Sequence, residues 1–160
     1  MVDLRQKRSS MWWLMLLFMT VGMLSVPASA QDAAGSELDA YYNANSLCTR
    51  RFYKQAVDEY KRFLDKYPTH VKADKARWGM AISLYNLAKP KEAYPLLAKL
   101  AGSPEITAQD KVHNYLGLCL LDVSKPAEAE KAFAWTIANA KDPKSKSAID
   151  ARVGLVSALY

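Results

Sequence analysis

Cysteine, histidine and glycine are scarce in this 160-residue chain, and each scarcity closes a class of function. Two cysteines, Cys48 and Cys119, are too few for the bridge framework of a small disulfide-rich domain. Both sit inside apolar helical patterns, so they read as small buried or groove-lining residues rather than as a pair. Two histidines, His70 and His113, with no H-E-x-x-H and no C-x-x-C, leave no spacing that would hold a metal. The six glycines are scattered, so there is no phosphate-cradling loop, and no G-x-S-x-G elbow occurs. A nucleophilic pair of His113 with Cys119 fails on geometry, because six positions along one helix put the two on different turns. Acidic residues recur as i, i+4 partners of bases, such as Asp58 with Arg62, which marks a solvated face rather than an acid–base dyad. No convergent catalytic group can be assembled, so neither enzymatic activity nor a metal or cofactor is expected.

The one long apolar run is at the start. Arg5, Lys7 and Arg8 precede Met11 to Val26, and Pro27-Ala-Ser-Ala30 follows with small residues, Ala28 and Ala30, at the spacing a signal peptidase reads. The run holds 16 residues interrupted by Thr20, Gly22 and Ser25, short of the roughly 20 a spanning helix needs. Residues 1–30 are therefore expected to be a signal peptide cleaved after Ala30, and no stable membrane insertion is expected afterwards. The nearest cysteine, Cys48, lies eighteen residues beyond Ala30, too far for a lipid anchor. An exported, periplasmic protein is the expectation. Of 22 basic and 16 acidic residues, the first thirty hold three and one, leaving 19 and 15 and a net charge of +4. That mild excess is dispersed along the helical patterns and does not mark a nucleic-acid surface.

After a short linker over 31–37, the chain repeats. Lys54-Gln-Ala56, Lys89-Pro-Lys-Glu-Ala93 and Lys125-Pro-Ala-Glu-Ala129 align on alanines 37 and then 36 residues apart. In the last two copies the proline stands where a helix begins without losing a hydrogen bond. Apolar residues follow at helical spacing: Tyr53, Ala56, Val57, Tyr60, Phe63, Leu64 and Tyr67 in copy one, Ala93, Leu96, Leu97 and Leu100 in copy two, and Ala129, Ala132, Phe133 and Ile137 in copy three. These are second helices of hairpins. Each has a first helix before it: Asp39 to Cys48, Ala76 to Tyr85, Val112 to Leu121, and Ala151 to Tyr160, the second and fourth matching at their ends and at a glycine, 75 residues apart. Pro68, Pro104 and Pro143 close the second helices. The repeats fall at about 38–70, 71–105 and 106–143, with the first helix of a fourth at 146–160.

The chain resembles the tetratricopeptide repeat family. The family pattern of a small residue, a large apolar residue three later, an alanine opening the second helix and a closing proline is met by Ala44, Leu47, Ala56 and Pro68. It is met again by Ala81, Leu84, Ala93 and Pro104, and by Gly117, Leu120, Ala129 and Pro143. The period exceeds the usual 34 by two or three residues, which the proline-containing connections absorb. The resemblance implies an all-α fold, antiparallel helix hairpins stacked as a right-handed α-solenoid. The segment Phe63-Leu-Asp-Lys-Tyr-Pro68 with Ala73 and Ala76 is similar to the periplasmic branch, whose members assist outer-membrane barrel assembly or accompany the Tol-Pal machinery.

The resemblance also implies a binding groove on the first helices, with a protein or peptide as partner, here an envelope protein. Its positions are Tyr41, Asn45 and Cys48 in copy one; Lys75, Trp78, Ile82 and Tyr85 in copy two; and Lys111, Asn114, Leu118 and Leu121 in copy three. That mixture suits an extended or helical peptide with apolar side chains. It does not suit the family's clamp for a C-terminal carboxylate, because Trp78 stands where the clamp needs a polar group. Trp78 and Tyr85 equally suit packing against a neighbouring helix. Tyr160 falls inside the first helix of a fourth copy, where Leu155, Val156 and Leu159 would pack on a second helix, and exposing them forfeits roughly 1.5 to 3 kcal/mol each. The expectation is therefore either a longer protein, with more repeats or an enzymatic domain beyond residue 160, or a partner chain on the last helix, self-association included.

Overall fold

The computed structural model describes the backbone of residues 28–160 and the side chains from residue 38 onward. The expected signal segment up to residue 27 lies outside the described residues. Seven helices follow: α1 (Ala28–Thr49), α2 (Tyr53–Lys66), α3 (Ala73–Asn86), α4 (Pro90–Leu100), α5 (Gln109–Asp122), α6 (Pro126–Asn139) and α7 (Lys146–Leu159). The fold class is all-α as expected, and no strand occurs among the described residues. The 31–37 stretch expected as a linker is instead part of α1, and Ala28 and Ala30 fall in its first turn. Its alanines favour helix, and no proline interrupts the run into the first repeat.

Each second helix buries the same three positions. Ala56, Tyr60 and Phe63 in α2, Ala93, Leu97 and Leu100 in α4, and Ala129, Phe133 and Thr136 in α6 all follow an i, i+4, i+7 spacing. That is one stripe of an amphipathic helix. Pro90 and Pro126 take the first-turn positions expected of them.

The turn between the helices of each hairpin also repeats. Arg51, Ala88 and Ser124 have φ of 63°, 56° and 60°, in the left-handed region, although none is glycine. The next amide, of Phe52, Lys89 or Lys125, donates to the carbonyl of Leu47, Leu84 or Leu120 at 2.9, 3.0 and 2.8 Å. Arg51, Ala88 and Ser124 donate to Cys48, Tyr85 and Leu121 at 3.0, 2.9 and 2.9 Å. Together these form the paired terminal bonds that satisfy the last carbonyls of a helix and reverse the chain.

No hairpin closes a core alone. Tyr41, Ala44, Ala56, Tyr60 and Phe63 bury with Ala76 of the next copy; Ala81, Leu84, Ala93, Leu97 and Leu100 with Val112 and Cys119; and Leu120, Ala129, Ala132 and Phe133 with Ala151. Stacking supplies what each copy lacks. Glycine permits the closest approaches. A Cβ at Gly79 would overlap the Tyr60 ring, and one at Gly117 or at Gly154 would overlap Phe133, which fits between those two helices. The connections are braced as well: Arg77 Nη2 donates to the Pro68 carbonyl at 2.9 Å, and 75 residues on Arg152 Nη1 donates to that of Pro143 at 2.7 Å.

Candidate binding face of the first helices

The first helices α1, α3, α5 and α7 line two hollows, and most of the residues expected in a groove meet there. In the first hollow, of about 330 Å³, α1 contributes Tyr41, Asn45 and Cys48, and α3 contributes Lys75, Trp78 and Ile82. Tyr41 shows little of itself: it is 7 % exposed and its ring packs 5.7 Å from that of Phe63, so it belongs chiefly to the core. Asn45 is engaged from behind, its Oδ1 accepting the Tyr60 hydroxyl at 2.5 Å. The Ser83 hydroxyl donates to Cys48 Sγ at 3.4 Å. Lys75 is exposed, while Trp78 and Ile82 are half-buried.

In the second hollow, also about 330 Å³, Tyr85 of α3 faces Lys111, Asn114, Tyr115 and Leu118 of α5 and Lys146, Ser147 and Asp150 of α7. Asn114 is 3 % exposed, and its Oδ1 is a buried acceptor with no hydrogen-bond partner. The Ser147 hydroxyl donates to Asp110 Oδ2 at 2.5 Å and so ties α7 to α5 behind this wall. Lys146 Nζ meets Asp150 Oδ2 at 2.6 Å, and that hydrogen bond and charge hold its ammonium above the usual lysine range.

Tyr115 joins the two hollows. Its ring stands edge-on to Trp78 at 5.8 Å and to Tyr85 at 5.2 Å, the favoured geometry for aromatic pairs. Trp78 and Tyr85 therefore line the hollows and pack on a neighbouring helix at once. Burial pushes the Tyr85 and Tyr115 phenols up, so both stay neutral and able to donate. Leu121 lies in neither hollow and packs against the Leu120–Phe133 cluster. Tyr115, Lys146, Ser147 and Asp150 were not anticipated. Lys146 had a signal, since it stands in the first turn of its helix as Lys75 and Lys111 do in theirs.

Elsewhere the groups considered for catalysis are kept apart. Cys119 is fully buried, and burial pushes its thiol up to about 12. His113 stacks on Trp135 at 3.8 Å, on a different groove shared with Tyr94 and Leu116, and burial lowers its pKa. Both cysteines are free thiols. Arg62 bonds Glu59 at 2.8 Å, three residues back, rather than the expected Asp58. Among the described residues no group of three His, Cys, Asp or Glu could hold a metal ion.

Stacked hairpins whose first helices share one lined face define a helical repeat protein. A family model described as Tetratrico peptide repeat matches residues 48–149, and the chain belongs to that family. Among solved structures it is similar to the first TPR domain of Spaghetti (RPAP3), solved bound to the HSP90 peptide SRMEEVD. The TM-score is 0.61 at 18 % identity, over 77 % of this chain and 92 % of that one. No curated protein matches this chain in sequence.

Proposed function

We propose that this chain is an exported adaptor or chaperone-like scaffold that holds a segment of an envelope protein against the face of its first helices. The observation that carries the reading is the convergence of Trp78, Tyr85 and Tyr115 with Lys75, Lys111 and Lys146, from three successive first helices, around two adjoining hollows. Rigid aromatics supply contact area at small entropic loss, and the lysines favour carboxylates beside it. The ligand expected is a peptide with apolar side chains for Ile82, Trp78 and Leu118, and acidic groups toward the lysines. That the similar RPAP3 domain was solved holding a peptide supports this use of a repeat stack. Export and the envelope setting rest on the leading basic-then-apolar segment and on the likeness of Phe63 to Pro68 to periplasmic relatives.

The test is capture of a partner from an envelope extract by the chain and by its Trp78→Ala, Tyr85→Ala double variant. Reduced capture by a variant with unchanged helicity is expected; undiminished capture would reject the face. In parallel, fusion of residues 1–37 to a reporter active only outside the cytoplasm should give activity. The secreted product should begin at Gln31.

A further inference from the structure

The positive excess, dispersed along the sequence, is gathered by the fold on one edge. The turns at 49–54 and 86–92 carry Arg50, Arg51, Lys54, Lys89 and Lys91 against a single acid, Glu92. Five bases and one acid give +4, the whole net charge of residues 31–160, whose totals are 19 and 15; the rest of that stretch holds 14 of each and cancels. The two turns point the same way, because the Ser83 hydroxyl donates to Cys48 Sγ at 3.4 Å and sets the last turns of α1 and α3 side by side. The third turn, with Asp122, Lys125 and Glu128, does not share the charge.

The fold gains little from these cations. Lys54 and Lys91 stand in the first turns of α2 and α4, where the aligned peptide dipoles already leave a positive end that favours acids. Helix α2 has no acid in that turn. Lys89 pairs with Glu92 at 2.9 Å, whereas Arg50, Arg51, Lys54 and Lys91 have no ion pair among the described residues. In their midst Phe52 is 43 % exposed, with the Arg50 guanidinium 4.9 Å from the centre of its ring. A hollow of about 370 Å³ at the second turn, lined by Lys89, Pro90 and Lys91 among others, gives room for an anionic head group.

We propose that this edge docks peripherally on an anionic phospholipid bilayer, with Phe52 seated at the top of the acyl chains and the five cations among the lipid phosphates. Two turn tips side by side suit a planar surface. Cations ringing an exposed aromatic make an interfacial anchor: the ring enters the boundary while the charged heads stay with the phosphates. A single-stranded nucleic acid would need the ring face for stacking, and Arg50 already covers one face. None of the six residues lines either hollow, so the docking stands or falls apart from what the first-helix face holds.

Co-sedimentation of the 160-residue chain with phosphatidylcholine vesicles, with and without phosphatidylglycerol, tests it. Tighter binding to the anionic vesicles is expected, weakening as salt is added. The triple variant Arg50→Gln, Arg51→Gln, Lys54→Gln, with unchanged helicity, should bind them about a hundredfold more weakly, about fivefold for each cation removed. Phe52→Trp reports the seating: brominated acyl chains should quench its fluorescence beyond the quenching of the parent's own tryptophans. Absence of binding to the anionic vesicles by the parent overturns the proposal, as does the absence of added quenching at position 52. So does a triple variant that binds as tightly as the parent, which would trace the binding to the leading apolar segment. Tighter binding to a single-stranded oligonucleotide than to vesicles at equal phosphate would overturn it too, making the edge a nucleic-acid surface.

Discussion

Replacing Ala88 with glycine should make the protein more stable, against the usual effect of adding glycine. Ala88 holds φ at 56° at the turn between α3 and α4, where a Cβ crowds the following carbonyl. For a residue with a Cβ this conformation costs roughly 1 to 2 kcal/mol. Glycine removes that strain but enlarges the freedom of the unfolded chain, by about 0.4 to 1 kcal/mol. The difference leaves Ala88→Gly ahead by about 0.5 to 1 kcal/mol. Little is lost in exchange, because Ala88 is exposed and its amide bond to Tyr85, at 2.9 Å, is a backbone contact that glycine keeps. Urea unfolding is the assay: the midpoint should rise at an unchanged slope, since the surface exposed on unfolding is the same. The corresponding rise in melting temperature is about 2 to 4 °C. Ala88→Val should move the other way, because a β-branched side chain tolerates positive φ least. A fall of about 1 kcal/mol on Ala88→Gly, the ordinary penalty for glycine in regular structure, would refute the reasoning. Arg51→Gly and Ser124→Gly should add to it, since the three turns are separate.

Two further outcomes follow from packing and titration. Gly154→Ala places a methyl against Phe133 and should lower stability by about 1 to 3 kcal/mol in the same urea assay; an unchanged midpoint would mean the ring can move aside. His113 has its pKa lowered by burial, so its contribution is fully present above the unfolded value of 6.5 and is lost as pH falls through 6.5 toward the folded value. The urea midpoint should therefore drop on acidification below that point, and His113→Phe, which keeps a ring on Trp135, should flatten the drop. Equal drops in both proteins would exclude His113 as the source.

The hairpin order was readable because it rests on spacing: alanines at 56, 93 and 129 and prolines at 90 and 126 fall where helices must open. The turns between the helices were not, because Arg51, Ala88 and Ser124 share no chemistry, and their left-handed backbone is imposed by the helices they join. Nor does composition tell that α1 continues back through 31–37, where Gly35 and polar residues look like a linker. Site residues divide in the same way. Lys75, Trp78 and Lys111 line the hollows at the places their position within a repeat led us to expect. Tyr115, Lys146 and Asp150 were missed because they enter through contacts between copies, which no single copy displays. Tyr41 and Asn114 line a hollow yet are almost wholly buried, and Leu121 packs on the Leu120–Phe133 cluster, outside both hollows.

Phe133 bears on how this chain comes apart. One ring occupies notches on the helix before it, at Gly117, and on the helix after it, at Gly154. A stack of repeats with weak junctions frays from its end, one copy at a time. Here, peeling α7 away would strip one side of the bulkiest residue in the last core, so α5, α6 and α7 should open as a single unit. Amide hydrogens of those three helices should then exchange with one common opening free energy, while the Tyr60–Gly79 junction sets a second unit in the first half of the stack.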